Sequence, residues 1–173
     1  MKKLVIVING RGGVGKDTLC DFAAKHFSVM NVSSITPVKE LAAQCGWAGE
    51  KTDRARRFLS DLKALLIAYN DFPTVWAKRR YEEFLAGDAE IMFLHVREGE
   101  EIAKFVAATE GRAKTLLIRP GKRDAERAAY GNVSDDCVEM YAYDYYYVND
   151  LPLEKAEADF VAFLRGIYEG ITE

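Results

Sequence analysis

Residues Ile6-Val7-Ile8-Asn9-Gly10-Arg11-Gly12-Gly13-Val14-Gly15-Lys16-Asp17-Thr18 pass from an apolar strand through a glycine-rich turn into a helix that a lysine opens. Glycine accepts positive φ and has no side chain to block approach, so the backbone N–H groups of such a turn converge on an anion. The positive end of the following helix faces the same point. Lys16 adds a mobile charge for the outer phosphates of a nucleotide. The spacing G-x-x-x-x-G-K fits Gly10 to Lys16 and has the preceding strand and following helix that the motif requires. Gly10, Arg11, Gly12, Gly13, Val14, Gly15, Lys16, Asp17 and Thr18 are therefore expected to form a nucleotide-binding loop. A bland glycine-rich βα turn is the alternative, and the strand–turn–helix context argues against it.

The position after the lysine usually carries Ser or Thr, whose hydroxyl holds Mg²⁺. Here Asp17 stands there and Thr18 follows. A carboxylate is a hard oxygen ligand for Mg²⁺, yet it adds negative charge beside a triphosphate. Two readings stand level: Asp17 holds Mg²⁺, directly or through water, or it caps the first turn of its helix.

Outward from this loop, Leu4 to Ile8 is apolar on both faces, as a central strand of a parallel sheet is. The helix from Lys16 to Phe27 aligns Leu19, Phe22, Ala23 and His26, with His26 expected at the edge, its polar tip in water. Val29 to Val32 suits a short second strand. Thr36-Pro37 suits a helix start with Thr36 as N-cap. Thr52 or Asp53 caps a longer helix, in which Phe58, Leu62, Leu65, Leu66 and Tyr69 mark an apolar face. Asp71-Phe72-Pro73 breaks it and opens another helix, which ends at Gly87. This helical stretch, about 36–87, is too long for one crossover, and part of it is expected as an insert over the phosphate site.

A third strand is expected over Glu90 to Val96, then a helix closed by Gly111 and a fourth strand over Thr115 to Ile118. Met140 to Val148 suits a last strand, with Tyr141, Tyr143, Tyr145 and Tyr147 on one face and their hydroxyls reaching solvent. A base-stacking platform is the alternative for these rings. The closing helix, Pro152 to Tyr168, turns Ala156, Phe160, Phe163, Leu164 and Ile167 inward. Strands alternating with helices give an α/β fold with a central, mainly parallel sheet in three layers, as a single domain over 1–173. In such a sheet the ligand loops gather at the carboxyl ends of the strands beside the first.

The 173 residues are 49% hydrophobic and 29% charged, which suits one globular domain with a real core. A net charge of −3 argues against a general nucleic-acid surface. No apolar run approaches the ~20 residues of a membrane span. Cys20, Cys45 and Cys137 are far apart and form no C-x-x-C, so a reducing compartment, the cytoplasm, is expected. A monomer or homodimer fits equally.

Phosphoryl transfer needs positive charge around the transferred group and exclusion of water. Arg119, Arg123 and Arg127 are candidates for a closing lid, about 119–136, although a solvated charged face is the generic alternative. Arg54, Arg57 and Arg97 are candidates for gripping an anionic acceptor, because the guanidinium fork meets phosphate oxygens two at a time. His95 occupies the strand end where P-loop enzymes usually carry a Mg²⁺-binding acid; the nearest carboxylates are Asp17 and Glu98.

Gly15-Lys16-Asp17-Thr18 and Asp144-Tyr145-Tyr146-Tyr147-Val148-Asn149 resemble the deoxynucleoside monophosphate kinases of bacteriophages and their bacterial relatives. Looser matches are Pro37-Val38-Lys39-Glu40-Leu41, Arg54 to Lys63, Arg97 with Glu98 and Glu101, and Ser134-Asp135-Asp136. The resemblance implies a nucleoside-monophosphate-kinase-like P-loop fold, ATP with Mg²⁺ (Asp17 helping to place the metal) and a nucleoside monophosphate acceptor contacted by Lys39, Arg54, Arg57 and Arg97. It also implies catalytic roles for Lys16, Arg97, Arg119, Arg123 and Arg127. His95 departs from the aspartate of that family. Phosphomevalonate kinases carry a similar Gly-Lys-Asp, so a kinase of another small metabolite is the alternative. A nucleotide-binding regulator without turnover is the alternative from a different class.

Overall fold

The computed structural model describes residues 2–121 and 137–171. Five strands form one sheet in the order β2-β3-β1-β4-β5, and every pairing is parallel. The strands are β1 (Leu4–Asn9), β2 (Val29–Ser33), β3 (Ile91–His95), β4 (Lys114–Pro120) and β5 (Tyr145–Asn149). The helices are α1 (Lys16–Ala24), α2 (Thr36–Gln44), α3 (Asp53–Asn70), α4 (Phe72–Ala86), α5 (Gly99–Ala108) and α6 (Leu153–Gly170), with a 3₁₀ turn at Cys137–Met140 before β5.

The unbroken apolar run of β1 follows from its place in the centre of the sheet. Side chains alternate between faces along a strand. Leu4, Ile6 and Ile8 join Ile91, Phe93, Leu116 and Ile118 in a core closed by Leu19 of α1 and by Phe160 and Leu164 of α6. Val5 and Val7 join Met92, Leu94 and Leu117 on the other face, under Phe84 of α4 and Ile102 and Phe105 of α5. The expected three-layer α/β architecture is the observed one. Among the described residues, no helix is long and apolar enough to cross a membrane.

Several local expectations need correction. Ile35, not Thr36, occupies the N-cap of α2, and no side chain caps that end; Thr36 and Pro37 are already helical. At α3 it is Thr52 that caps, accepting from the Ala55 N–H at 3.2 Å. The stripe Phe58–Tyr69 is not as a whole the packed face of α3: Phe58 is 37%, Leu65 66% and Tyr69 83% exposed. The helix turns Ala55, Leu59, Leu62, Lys63, Leu66 and Ile67 inward instead. Ala55 is small enough to sit fully under its neighbours, and Lys63 is drawn in by a buried carboxylate described below. The last strand is also shorter than expected, because Tyr141 and Tyr143 precede it. Tyr143 is buried against the α5 face of the sheet, whereas Tyr147 packs on the opposite face. Their hydroxyls do not reach solvent: Tyr143 donates to the Val138 carbonyl at 2.9 Å, and Tyr147 to Asp159 at 2.8 Å. His26 meets Glu157 at 3.0 Å rather than water alone.

Candidate nucleotide site

The glycine-rich loop lies at the carboxyl end of β1, between the ends of β3 and β4. Gly13 and Gly15 have φ of 78° and 91°, and Gly15 is the N-cap of α1. These left-handed steps suit glycine alone and turn successive N–H groups toward one point. At Gly10 the constraint is space as well: a Cβ there would meet the Ile118 carbonyl oxygen at 2.6 Å. Lys16 Nζ lies over the loop, donating to the carbonyls of Gly10 at 2.6 Å and Arg11 at 3.1 Å.

Two asparagines that local spacing does not single out hold this loop. Asn9 is 1% exposed at the end of β1. Its Oδ1 accepts from the Gly10 N–H at 2.8 Å, and its Nδ2 donates to the Arg97 carbonyl at 2.9 Å and to the Tyr143 hydroxyl at 2.8 Å. A polar residue closing an otherwise apolar strand was the available clue. Asn149, at the end of β5, donates from Nδ2 to the Val14 carbonyl at 3.0 Å, and its backbone carbonyl accepts from Gly121 at 3.2 Å. It thus ties the loop to the exits of β4 and β5.

Asp17 lies in the first turn of α1 but makes no capping bond, so the capping reading fails. Its carboxylate is 92% exposed and stands 3.9 Å from His95 Nδ1. His95 is where the sequence put it, at the end of β3 beside β1. Its Nε2 lies 2.8 Å from Asn31 Oδ1, which fixes Nε2 as the protonated nitrogen. Burial lowers its pKa, outweighing the opposite pull of Asp17, and Lys16 pushes the same way as burial. The ring is therefore neutral at pH 7. Cys20 lies 3.7 Å from the same nitrogen, and burial, with the charges of Asp17 and Asp21, pushes its thiol up to about 12. That thiol is inert. Among the described residues no cluster of three potential metal ligands exists. Asp17 offers an open carboxylate beside the loop, which fits Mg²⁺ held by one carboxylate, phosphate oxygens and water.

The other predicted residues separate. Arg97 follows β3 directly, its carbonyl tied to Asn9. Arg119 is inside β4; it bonds Glu139 from Nε and Nη2, the latter at 2.8 Å, and its guanidinium stacks 4.4 Å from the Tyr146 ring. Arg123 and Arg127 lie outside the described residues, as does Ser134-Asp135-Asp136. Lys39 is exposed on α2. Arg54 and Arg57 are exposed on α3, and Arg57 lies 3.9 Å from Asp61. At 100° per residue, Arg54 points opposite to Lys63 on that helix. Lys63 is the residue that α3 sends to the β3–α5 junction: its Nζ lies 2.5 Å from Glu101 and 3.1 Å from Glu98. Glu98 is thereby engaged. Glu101 is 6% exposed, and its Oε2 accepts from Ser34 at 3.4 Å. Burial raises its pKa, while Lys63 pulls it down. Ser34, Thr74 and Glu101 line a small cavity beside the ends of β2 and β3.

No protein-family model matches the chain, and no curated protein sequence matches it. Solved structures do. A tunicamycin resistance protein from Deinococcus radiodurans superposes with a TM-score of 0.56 at 11% identity, covering 99% of this chain and 98% of that one. A sugar kinase from Janibacter sp. gives 0.51 at 17% identity, covering 99% of each chain. A gluconokinase from Sinorhizobium meliloti gives 0.50 at 13%, covering 96% and 94%. The chain shares with these proteins a five-stranded parallel sheet between helices. At these identities the likeness concerns architecture, and the chemistry must be argued from the residues of this chain.

Proposed function

We propose that this chain is an ATP-dependent phosphotransferase whose acceptor is a nucleoside or deoxynucleoside monophosphate. The observation that carries the reading is the phosphate nest from Gly10 to Thr18, with Lys16 Nζ poised over it and two asparagines bracing it. Lys16 and the loop N–H groups would hold the donor's β- and γ-phosphates. Asp17 would hold Mg²⁺ with water and phosphate oxygens; when bound, the metal neutralises charge on the transferred group. Arg97 and Lys39, with Arg54 and Arg57 if the helical insert of 36–87 reorients, would grip the acceptor. Arg123 and Arg127 would close as a lid over 119–136 and exclude water, with Arg119 held in β4 at its base. Tyrosine packing and net charge favour small molecules over nucleic acid as partners.

One observation favours a second reading, a hydroxylated metabolite as acceptor. Near the β2 and β3 ends lie Ser34, Lys63, Glu98 and Glu101, a polar cluster whose carboxylates suit hydroxyls better than phosphate. A sugar kinase and a gluconokinase share the architecture. ADP release is the test, measured with ATP and Mg²⁺ over a panel of nucleoside monophosphates and polyhydroxy acids or sugars. Stimulation by a monophosphate is expected. Stimulation by hydroxylated compounds alone selects the second reading, and ATP binding with no stimulation by any acceptor rejects both.

A further inference from the structure

A cavity of about 740 Å³ lies away from the phosphate loop. It opens at the opposite, amino-terminal edge of the sheet, among the starts of β1, β4 and β5, the end of α4 and the end of α6. Strand rise puts it on the order of 20 Å from the loop. Its charge is one-sided. The chain as a whole has 27 acidic and 24 basic residues, yet among the described residues the lining contains Lys2, Lys3, Arg112 and Lys114 and no Asp or Glu. Like charges gathered in a concave site raise the local concentration of counter-ions.

These cations differ in how far the protein already uses them. Lys3 Nζ is held by the carbonyls of Gly87 at 2.6 Å, Ala89 at 2.7 Å and Phe84 at 3.1 Å, at the end of α4. Lys2 has one carbonyl, that of Glu169, at 3.3 Å. Among the described residues, Arg112 has only a 4.0 Å approach to Glu110. Lys114, half-buried, makes no ion pair among the described residues. Beside them stand apolar walls: Val5, Tyr81 and Ile167 are buried, and Tyr145 is half-buried. A volume of this size with an apolar body and a few polar groups is what small-molecule sites have.

We propose that this cavity is a second ligand site, for a small organic anion with an apolar or aromatic body, its charge met by Arg112 and Lys114. It is separate from the nucleotide site, and its argument does not rest on the kinase reading. Because β1 runs from the cavity into the phosphate loop and β4 ends beside it, a ligand here would sit at the far end of the strand that carries that loop.

Gly170 supplies a steric test. It lines the cavity at the last position of α6, its φ lies outside the left-handed region, and a Cβ there meets nothing within 4 Å. Gly170→Trp should therefore place a bulky ring at the cavity wall without meeting packed atoms. Naphthalene-1-sulfonate is titrated calorimetrically against the full chain, with neutral 1-naphthalenemethanol and inorganic phosphate as comparison ligands. We expect saturable binding of one sulfonate per chain that weakens with added salt and is unchanged in Lys16→Ala. Affinity should fall at least tenfold in Arg112→Ala/Lys114→Ala and be lost in Gly170→Trp, with all variants melting cooperatively. The naphthalene alcohol and phosphate, each carrying half of the recognition, should bind at least tenfold more weakly than the sulfonate. Equal binding by the Gly170→Trp variant, affinity unaffected by the double substitution, an alcohol or phosphate as tight as the sulfonate, or no saturable binding at millimolar concentration would each overturn the proposal.

Discussion

Lys63→Met isolates the buried carboxylate at the β3–α5 junction. Lys63 is the cation nearest Glu101, at 2.5 Å, and that carboxylate is 6% exposed. The near oxygen, Oε1, faces the Lys63 ammonium in a charge-assisted contact, so Glu101 depends on that charge. Removing one partner of a buried pair typically costs about 3–5 kcal/mol. Here an escape route caps the loss: Glu101 can take up a proton. Protonating an ordinary carboxylate of pKa ~4.3 at pH 7 costs about 3.7 kcal/mol. Burial has already raised Glu101 above its ordinary value, so its proton costs less than that. The expected loss is about 2–3 kcal/mol at pH 7, or roughly 5–10 °C in Tm for a domain of this size. The pH dependence follows from the direction of the shift. A carboxyl whose folded pKa is raised binds more protons folded than unfolded, so it destabilises above its folded pKa and stops doing so as pH falls through that value. The deficit of Lys63→Met should therefore shrink between pH 7 and pH 5, and Lys63→Met/Glu101→Gln should recover most of it at pH 7. Denaturant titrations of the three proteins at both pH values make the measurement. A deficit that is equal at pH 7 and pH 5, or unrelieved by Glu101→Gln, would refute the buried-charge argument and leave lost packing as the cause.

Other expectations concern the loop itself. Lys16→Ala should remove most ATP affinity or turnover, read as ATP binding and ADP release; unchanged kinetics would remove the phosphate-site reading. Asn149→Ala deletes the brace on the Val14 carbonyl; about 1 kcal/mol of stability should go with the hydrogen bond, together with a raised KM for ATP, and an unaltered KM would show that the brace is not needed. Gly10→Ala places a Cβ 2.6 Å from the Ile118 carbonyl at a φ of 152°, so a loss of about 1–3 kcal/mol is expected in thermal unfolding. A Tm within experimental error of the parent would mean that the loop relaxes freely.

The phosphate loop was legible because its meaning is local. Glycines at fixed spacing, a strand before and a lysine-headed helix after are consecutive in the chain. The strands β1 and β3 were legible because burial on both faces leaves unbroken apolar runs. The face of α3 was not. That helix has two apolar arcs, and which one is covered depends on α2, α4 and the charge of Glu101, none of them encoded in its own periodicity. The tyrosines around β5 were misassigned for a related reason. Period-two alternation assumes that the strand starts where the aromatics start, but the chain turns first, and Tyr143 is held by the distant Asn9 and by Val138 five residues before it.

By itself the sequence determined the α/β class, the phosphate loop and the anomaly of Asp17 with His95, because each is a matter of neighbouring residues and their periods. Tertiary structure alone decided that His95 is a neutral ring facing Asn31, that Asn9 and Asn149 brace the loop, that Lys63 rather than Arg54 turns toward the β3 end, and that a basic cavity lies at the far edge of the sheet. These are contacts between residues up to 135 positions apart, as for Asn149 and Val14. A carboxylate, an imidazole or a lysine acquires its role from the burial and charge that folding places around it, and no local spacing carries that information.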